Sequence, residues 1–108
     1  MAAHFQLKRA KDGKTYFNLR AANGEVILSS QRYVSRGGAL KGIASVRKHA
    51  ANTANFDRRI GKSGKCHFVL KANNHRIIGT SEVYNSLAAM ENGVASVAKN
   101  GPLATLLQ

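Results

Sequence analysis

Cys66 is the only thiol, and His67, an imidazole base, stands next to it. A thiol attacks as the thiolate, so a working pair needs the imidazole within hydrogen-bond reach of the sulfur. The surrounding residues alternate apolar and polar, as in a β-strand, and strand neighbours point to opposite faces. Side by side, the two cannot meet, and Cys66 reads as a small strand residue.

His4, His49, His67 and His75 lack metal-ligand spacing, and one cysteine cannot complete a thiolate zinc site. No metal or cofactor is therefore expected. The loop Gly61–Lys65 (GKSGK) has too few residues between its glycines for a phosphate loop, and Cys66 follows where Ser or Thr belongs. It reads as a hairpin turn. Five acids, among them Asp12, Glu25 and Asp57 in turns or at strand starts, form no indicated acid–base pair. The expectation is a protein that is not an enzyme.

Charge is the outlier of the composition. Seventeen Lys and Arg against five acids give a net charge of +12 over 108 residues. Such a balance favours an anionic partner such as nucleic acid. A hydrophobic fraction of 44% suffices for one core. The unpaired Cys66 fits a reducing cytoplasm. No apolar run approaches a membrane span, and the first residues lack a signal-peptide pattern, so a cytoplasmic protein without membrane contact is expected.

The elements that position these residues come in duplicate. Shifting the chain by 51 residues lays Phe17 on Phe68, Leu19 on Leu70, Tyr33 on Tyr84, Ser35 on Ser86 and Gly42 on Gly93, without a gap. The hairpin Gly13-Lys14 falls on Gly64-Lys65, and Cys66 falls on Thr15. In each copy, period-two alternation predicts three strands, near 4–10, 15–22 and 25–30, then 55–60, 66–73 and 76–81. Asp12-Gly13 and Asn23-Gly24 mark tight turns. Helical spacing of Ala39, Ile43, Val46 and Ala50, with Leu40 beside them, predicts a helix near 35–49. Met90, Val94 and Val97 predict its twin near 86–100, ended by Gly101-Pro102. Ser35 is the expected N-cap, and Tyr33 and Tyr84 should pack where the helices start. Gly42 and Gly93, inside the helices, suggest close approach to the sheet.

One β-β-β-α unit leaves a sheet edge bare. The expected fold is therefore α+β: two repeats, about 4–53 and 54–108, related by a pseudo-twofold axis. They share one mainly antiparallel, six-stranded sheet with both helices on one face. The five residues 51–55 are too short for a flexible linker, so residues 1–108 are expected as a single domain, a monomer that is an internal pseudo-dimer.

The stretches Phe17–Leu28 (FNLRAANGEVIL), Gly42–Val46 (GIASV), Asn74–Ser81 (NHRIIGTS) with Tyr84, and Asn92–Val97 (NGVASV) resemble the YegP-like family of small bacterial proteins. The resemblance runs from about Phe5 to Gly101 and includes the duplication. It implies an α+β fold in which two repeats, or two subunits of a single-repeat protein, assemble one sheet with strands exchanged between halves and, the family being one of unknown function, no active site. This chain departs in its Lys- and Arg-rich hairpins, and in having Leu28 where the second repeat has Gly79.

If Phe5, Leu7, Phe17 and Leu19 face the helices, then Lys8, Tyr16, Asn18 and Arg20 face away. Arg59, His67, Val69 and Lys71 do so in the second repeat, with Lys62 and Lys65 in the adjoining turn. Lys8, Tyr16, Arg20, Arg59, Lys62, Lys65, His67 and Lys71 are thus the candidate anion or nucleic-acid face. Basic residues there could track phosphates while the aromatic groups stack a base. The same charges would also serve simply to keep an uncovered sheet soluble. The expected role is that of a structural or interaction protein, with nucleic-acid binding as the alternative.

Overall fold

A computed structural model describes residues 2–107. In the first repeat, β1 (His4–Arg9), β2 (Thr15–Arg20) and β3 (Val26–Ser30) precede α1 (Arg36–His49). A single 3-10 turn, Thr53–Asn55, leads into β4 (Phe56–Ile60), β5 (Cys66–Lys71) and β6 (Ile77–Thr80), followed by α2 (Leu87–Asn100). Both helices start as their sequences require. The Ser35 hydroxyl accepts from the Gly38 N–H at 3.1 Å and the Ser86 hydroxyl from the Ala89 N–H at 3.1 Å.

All four hairpins use one turn. Its last residue has positive φ: Gly13 (83°), Gly24 (87°), Gly64 (82°) and His75 (66°). Asp12, Asn23 and Asn74 are not left-handed themselves. Their side-chain oxygens instead accept the N–H two residues on, at 3.0 Å in each case.

The strands form one sheet in the order β4-β5-β6-β3-β2-β1, with a seventh strand, β7 (Thr105–Leu107), outside β1. The repeats join through antiparallel β3 and β6, Ser29 opposite Thr80 and Ser30 opposite Gly79. The expected six strands are therefore seven. Gly101-Pro102 does end α2, but the chain then returns along β1 in parallel, with Phe5 opposite Leu106. The Arg47 guanidinium holds this arm by donating to the Ala104 carbonyl at 3.0 and 3.2 Å, and Leu106 packs against the core.

Each helix lies across the joint. α1 packs on β2 of its own repeat and on β5 and β6 of the other, while α2 packs on β5 and on β3. Phe5, Phe17, Leu19, Leu28, Phe68 and Leu70 from both repeats form one buried cluster with Ile43, Val46, Met90, Val94 and Val97. Leu40, expected beside the apolar stripe of α1, is exposed. The tyrosines sit between sheet and helix. Tyr33 exchanges backbone hydrogen bonds with Thr15 (2.7 and 2.8 Å) and stacks on Phe17, ring centroids 6.2 Å apart. Tyr84 does the same with Cys66 and Phe68. A Cβ on Gly42 would lie 2.7 Å from Cζ of Tyr33 and 2.9 Å from a Phe17 ring carbon. One on Gly93 would lie 2.7 Å from Cζ of Tyr84, so both glycines are packing requirements.

Candidate functional site

The face of the sheet away from the helices is built by strand alternation. Since Phe17, Leu19, Phe68 and Leu70 point into the core, Tyr16, Asn18 and Arg20 on β2 and His67, Val69 and Lys71 on β5 point outward. Register places Lys8 opposite Tyr16 and Arg59 opposite His67. A row of short or polar side chains crosses the middle: Gln6, Asn18, Ser29 and Thr80 on successive strands, then Val69. The Ser29 hydroxyl donates to the Asn18 side chain at 2.8 Å, and Asn18 is buried in spite of lying on the open face. Val69, 2% exposed, is also shielded there, between Asp57 and Thr80 on the flanking strands.

The candidate cations are not equally available. Asp57 engages two of them: Lys71 Nζ and Arg59 Nη2 each lie 3.3 Å from its carboxylate. The Lys71 ammonium, with Arg59 adding to it, holds the Asp57 carboxyl below the usual range. Arg20 donates to Gln6 Oε1 at 2.9 Å and to the Gly24 carbonyl at 2.7 Å. Lys8, Lys62 and Lys65 form no ion pair among the described residues.

The strand order divides the candidate face. Tyr16 and His67 stand on β2 and β5, three strands apart, and the joint is antiparallel. Lys8 with Tyr16 therefore occupies one corner. Arg59 and His67, with the exposed turn residues Lys62 and Lys65, occupy the diagonally opposite one. At ~4.8 Å per strand and ~3.3 Å per residue the corners are roughly 20 Å apart. Six of the eight residues thus form two small basic corners separated by a neutral row, not one patch, while Arg20 and Lys71 lie at the other ends of β2 and β5.

Cys66 lies in the core at 1% exposure, its thiol 3.3 Å from the Ser86 carbonyl oxygen, while His67 is on the other face. Among the described residues no three His, Cys, Asp or Glu gather as a metal site, and no helix is long and apolar enough to cross a membrane.

Two clefts beside the helices escaped the sequence reading. One opens between α1 and the β5–β6 hairpin, the other between α2 and the β2–β3 hairpin. Their walls come from different repeats, so no local pattern announces them. The shift of 51 residues that equates the repeats is the signal that could have linked them.

Comparison with known proteins places the chain. The domain described as "Domain of unknown function (DUF1508)" matches twice, at residues 10–57 and 62–107. The UPF0339 protein YegP of Yersinia pestis is 46% identical over 97% of this chain and 93% of its own. A UPF0339 protein of Pseudomonas aeruginosa is 50% identical over 98% of this chain and 96% of its own. The solution NMR structure of YegP from E. coli, titled a protein of unknown function, superposes with a TM-score of 0.91 at 42% identity, covering 98% of this chain and 91% of that one.

Proposed function

This chain belongs to the DUF1508 family, and we propose that it works by binding an anionic partner, not by catalysis, with the uncovered face of its sheet as the contact surface. The observation that carries the reading is the lone Lys8–Tyr16 pair on that face: a cation without an ion-pair partner among the described residues, directly opposite an aromatic ring. A phosphate on the ammonium and a base on the phenol ring are the complementary ligand groups, which favours single-stranded nucleic acid. The opposite corner offers His67, Lys62 and Lys65 for the same purpose, with Arg59 held by Asp57. The inward thiol of Cys66 supports the non-catalytic part of the reading, since a substrate has no path to it without opening the core. The protein is read as a cytoplasmic monomer whose internal pseudo-dimer duplicates the contact.

Fluorescence anisotropy with labelled single- and double-stranded DNA and RNA at two salt concentrations tests this. Binding should prefer single strands and weaken steeply as salt rises. Lys8→Ala with Tyr16→Ala should weaken it by about tenfold, at about 1–3 kcal/mol for a lost stacking group. Absence of binding at low salt, or a double variant that binds as the parent does, refutes the sheet-face site.

A further inference from the structure

The two helix-side clefts are twins by internal symmetry and differ in charge. The first, about 320 Å³, is lined by Tyr33, Lys41, Gly42, Ser45, Asn74 and Arg76, with Gln31 at its side. In the second, the shift of 51 residues puts Asn92 in place of Lys41, and keeps Ser96 for Ser45 and Asn23 for Asn74. The same shift puts Glu25 where the first cleft has Arg76, and Glu82 where it has Gln31. The tyrosines register the difference. Burial pushes both phenols up, but around Tyr84 the charges of Glu82 and Glu25 add to the rise, while around Tyr33 a hydrogen bond with Gln31 opposes it. Duplication has thus left one scaffold with a cleft lined by two cations, Lys41 and Arg76, and a copy lined by one, Lys99, with Glu25 and Glu82 near its tyrosine.

We propose that the cleft between α1 and the β5–β6 hairpin binds a phosphate ester through Arg76 and Lys41. A guanidinium grips phosphate oxygens in a fork and an ammonium adds a point charge. Neither side chain has an ion-pair partner among the described residues. The Asn74 side-chain oxygen is already used by the Arg76 backbone N–H at 3.0 Å, which leaves its NH2 group as a further donor. The Tyr33 ring, Gly42 and Ile78 supply an apolar wall for the rest of the ester. The site is separate from the Lys8–Tyr16 corner and does not depend on it.

The test is a 15N-resolved NMR titration at constant ionic strength with inorganic phosphate, a mononucleotide and a short single-stranded oligonucleotide. Saturable shifts are expected at the amides of residues 74–77 and 38–42, and not at their twins, 23–26 and 89–93. Lys41→Asn with Arg76→Glu, which installs the twin's residues, should weaken binding at least about tenfold, from two lost charge-assisted hydrogen bonds. Lys8→Ala with Tyr16→Ala should leave this titration unchanged. A mononucleotide bound more tightly than the oligonucleotide marks a small ester as the ligand, and the reverse order marks a nucleic-acid backbone. Equal response of the two clefts, shifts that rise without saturation at every basic hairpin, or a Lys41/Arg76 double variant that titrates as the parent does, overturns the proposal.

Discussion

Leu28 fills the space that a side chain at residue 79 would need: a Cβ on Gly79 would lie 2.8 Å from Leu28 Cγ and 2.9 Å from its Cδ2. The two positions are equivalent by the repeat and lie on β3 and β6, the strands that join the halves. Leucine on both would collide, and glycine on both would leave a void. The joint therefore accepts one of each, so a first repeat is matched to a second repeat and not to another first. Leu28→Ala should cost about 2–5 kcal/mol through its cavity, and Gly79→Leu about 1–3 kcal/mol or more through overpacking. The exchanged pair Leu28→Gly with Gly79→Leu should recover at least about 1 kcal/mol of the summed loss in urea denaturation. Strict additivity would show that the two residues do not share that space.

Gly42→Ala and Gly93→Ala should reverse the usual helix rule. Alanine in a helix interior normally stabilises by about 0.5–1 kcal/mol relative to glycine. Here the added methyl meets the ring and hydroxyl of Tyr33 or Tyr84. A loss of about 1–3 kcal/mol is expected from overpacking. Thermal unfolding of both variants measures it, and a raised midpoint in either would contradict the stacked tyrosine.

His75 holds the left-handed position that Gly13, Gly24 and Gly64 hold in the other hairpins. A side chain there costs roughly 1–2 kcal/mol, offset in part by the greater chain entropy that glycine loses on folding. His75→Gly is expected to stabilise by up to about 1 kcal/mol, and His75→Val to destabilise, because branching at Cβ suits positive φ least. Chemical denaturation of the pair decides the matter.

Acid should weaken the fold through three carboxylates. Asp12 is held low by the Lys14 N–H, with Arg32 adding to it. Asp57 is held low by Lys71 and then Arg59, and Glu91 by the two-point grip of Arg58 at 2.6 and 3.1 Å. A depressed folded-state pKa stabilises above the ordinary carboxylate value of about 4, and the contribution drains as pH falls through the lower folded value. Stability should therefore be flat above about pH 5 and decline below about pH 4. These pairs are exposed, so the effect is modest and shrinks in salt. Glu91→Gln should flatten the acid limb of a stability-versus-pH curve, and an unchanged limb would remove Glu91 from this account.

The repeat was legible from recurrence at a shift of 51 residues, and its six strands, both helices and their serine caps because each rests on neighbours a few residues apart. Strand period, helix period, turn glycines and N-caps are local physics, and Tyr33, Gly42 and their twins were already marked by recurrence. Asp57 and Arg59, two apart on one strand, could also have been read as an ion pair. Other features needed the folded molecule. Arg47 holds Ala104 from 57 residues away, and without that bond nothing in Thr105–Leu107 announces a seventh strand. Whether Tyr16 and His67 share a patch depended on the antiparallel sense of the β3–β6 joint, which puts them at opposite corners. The clefts, too, exist only where a helix of one repeat meets a hairpin of the other. Local preference sets what each segment becomes, but which side chains meet is settled by the packing of segments that are distant along the chain.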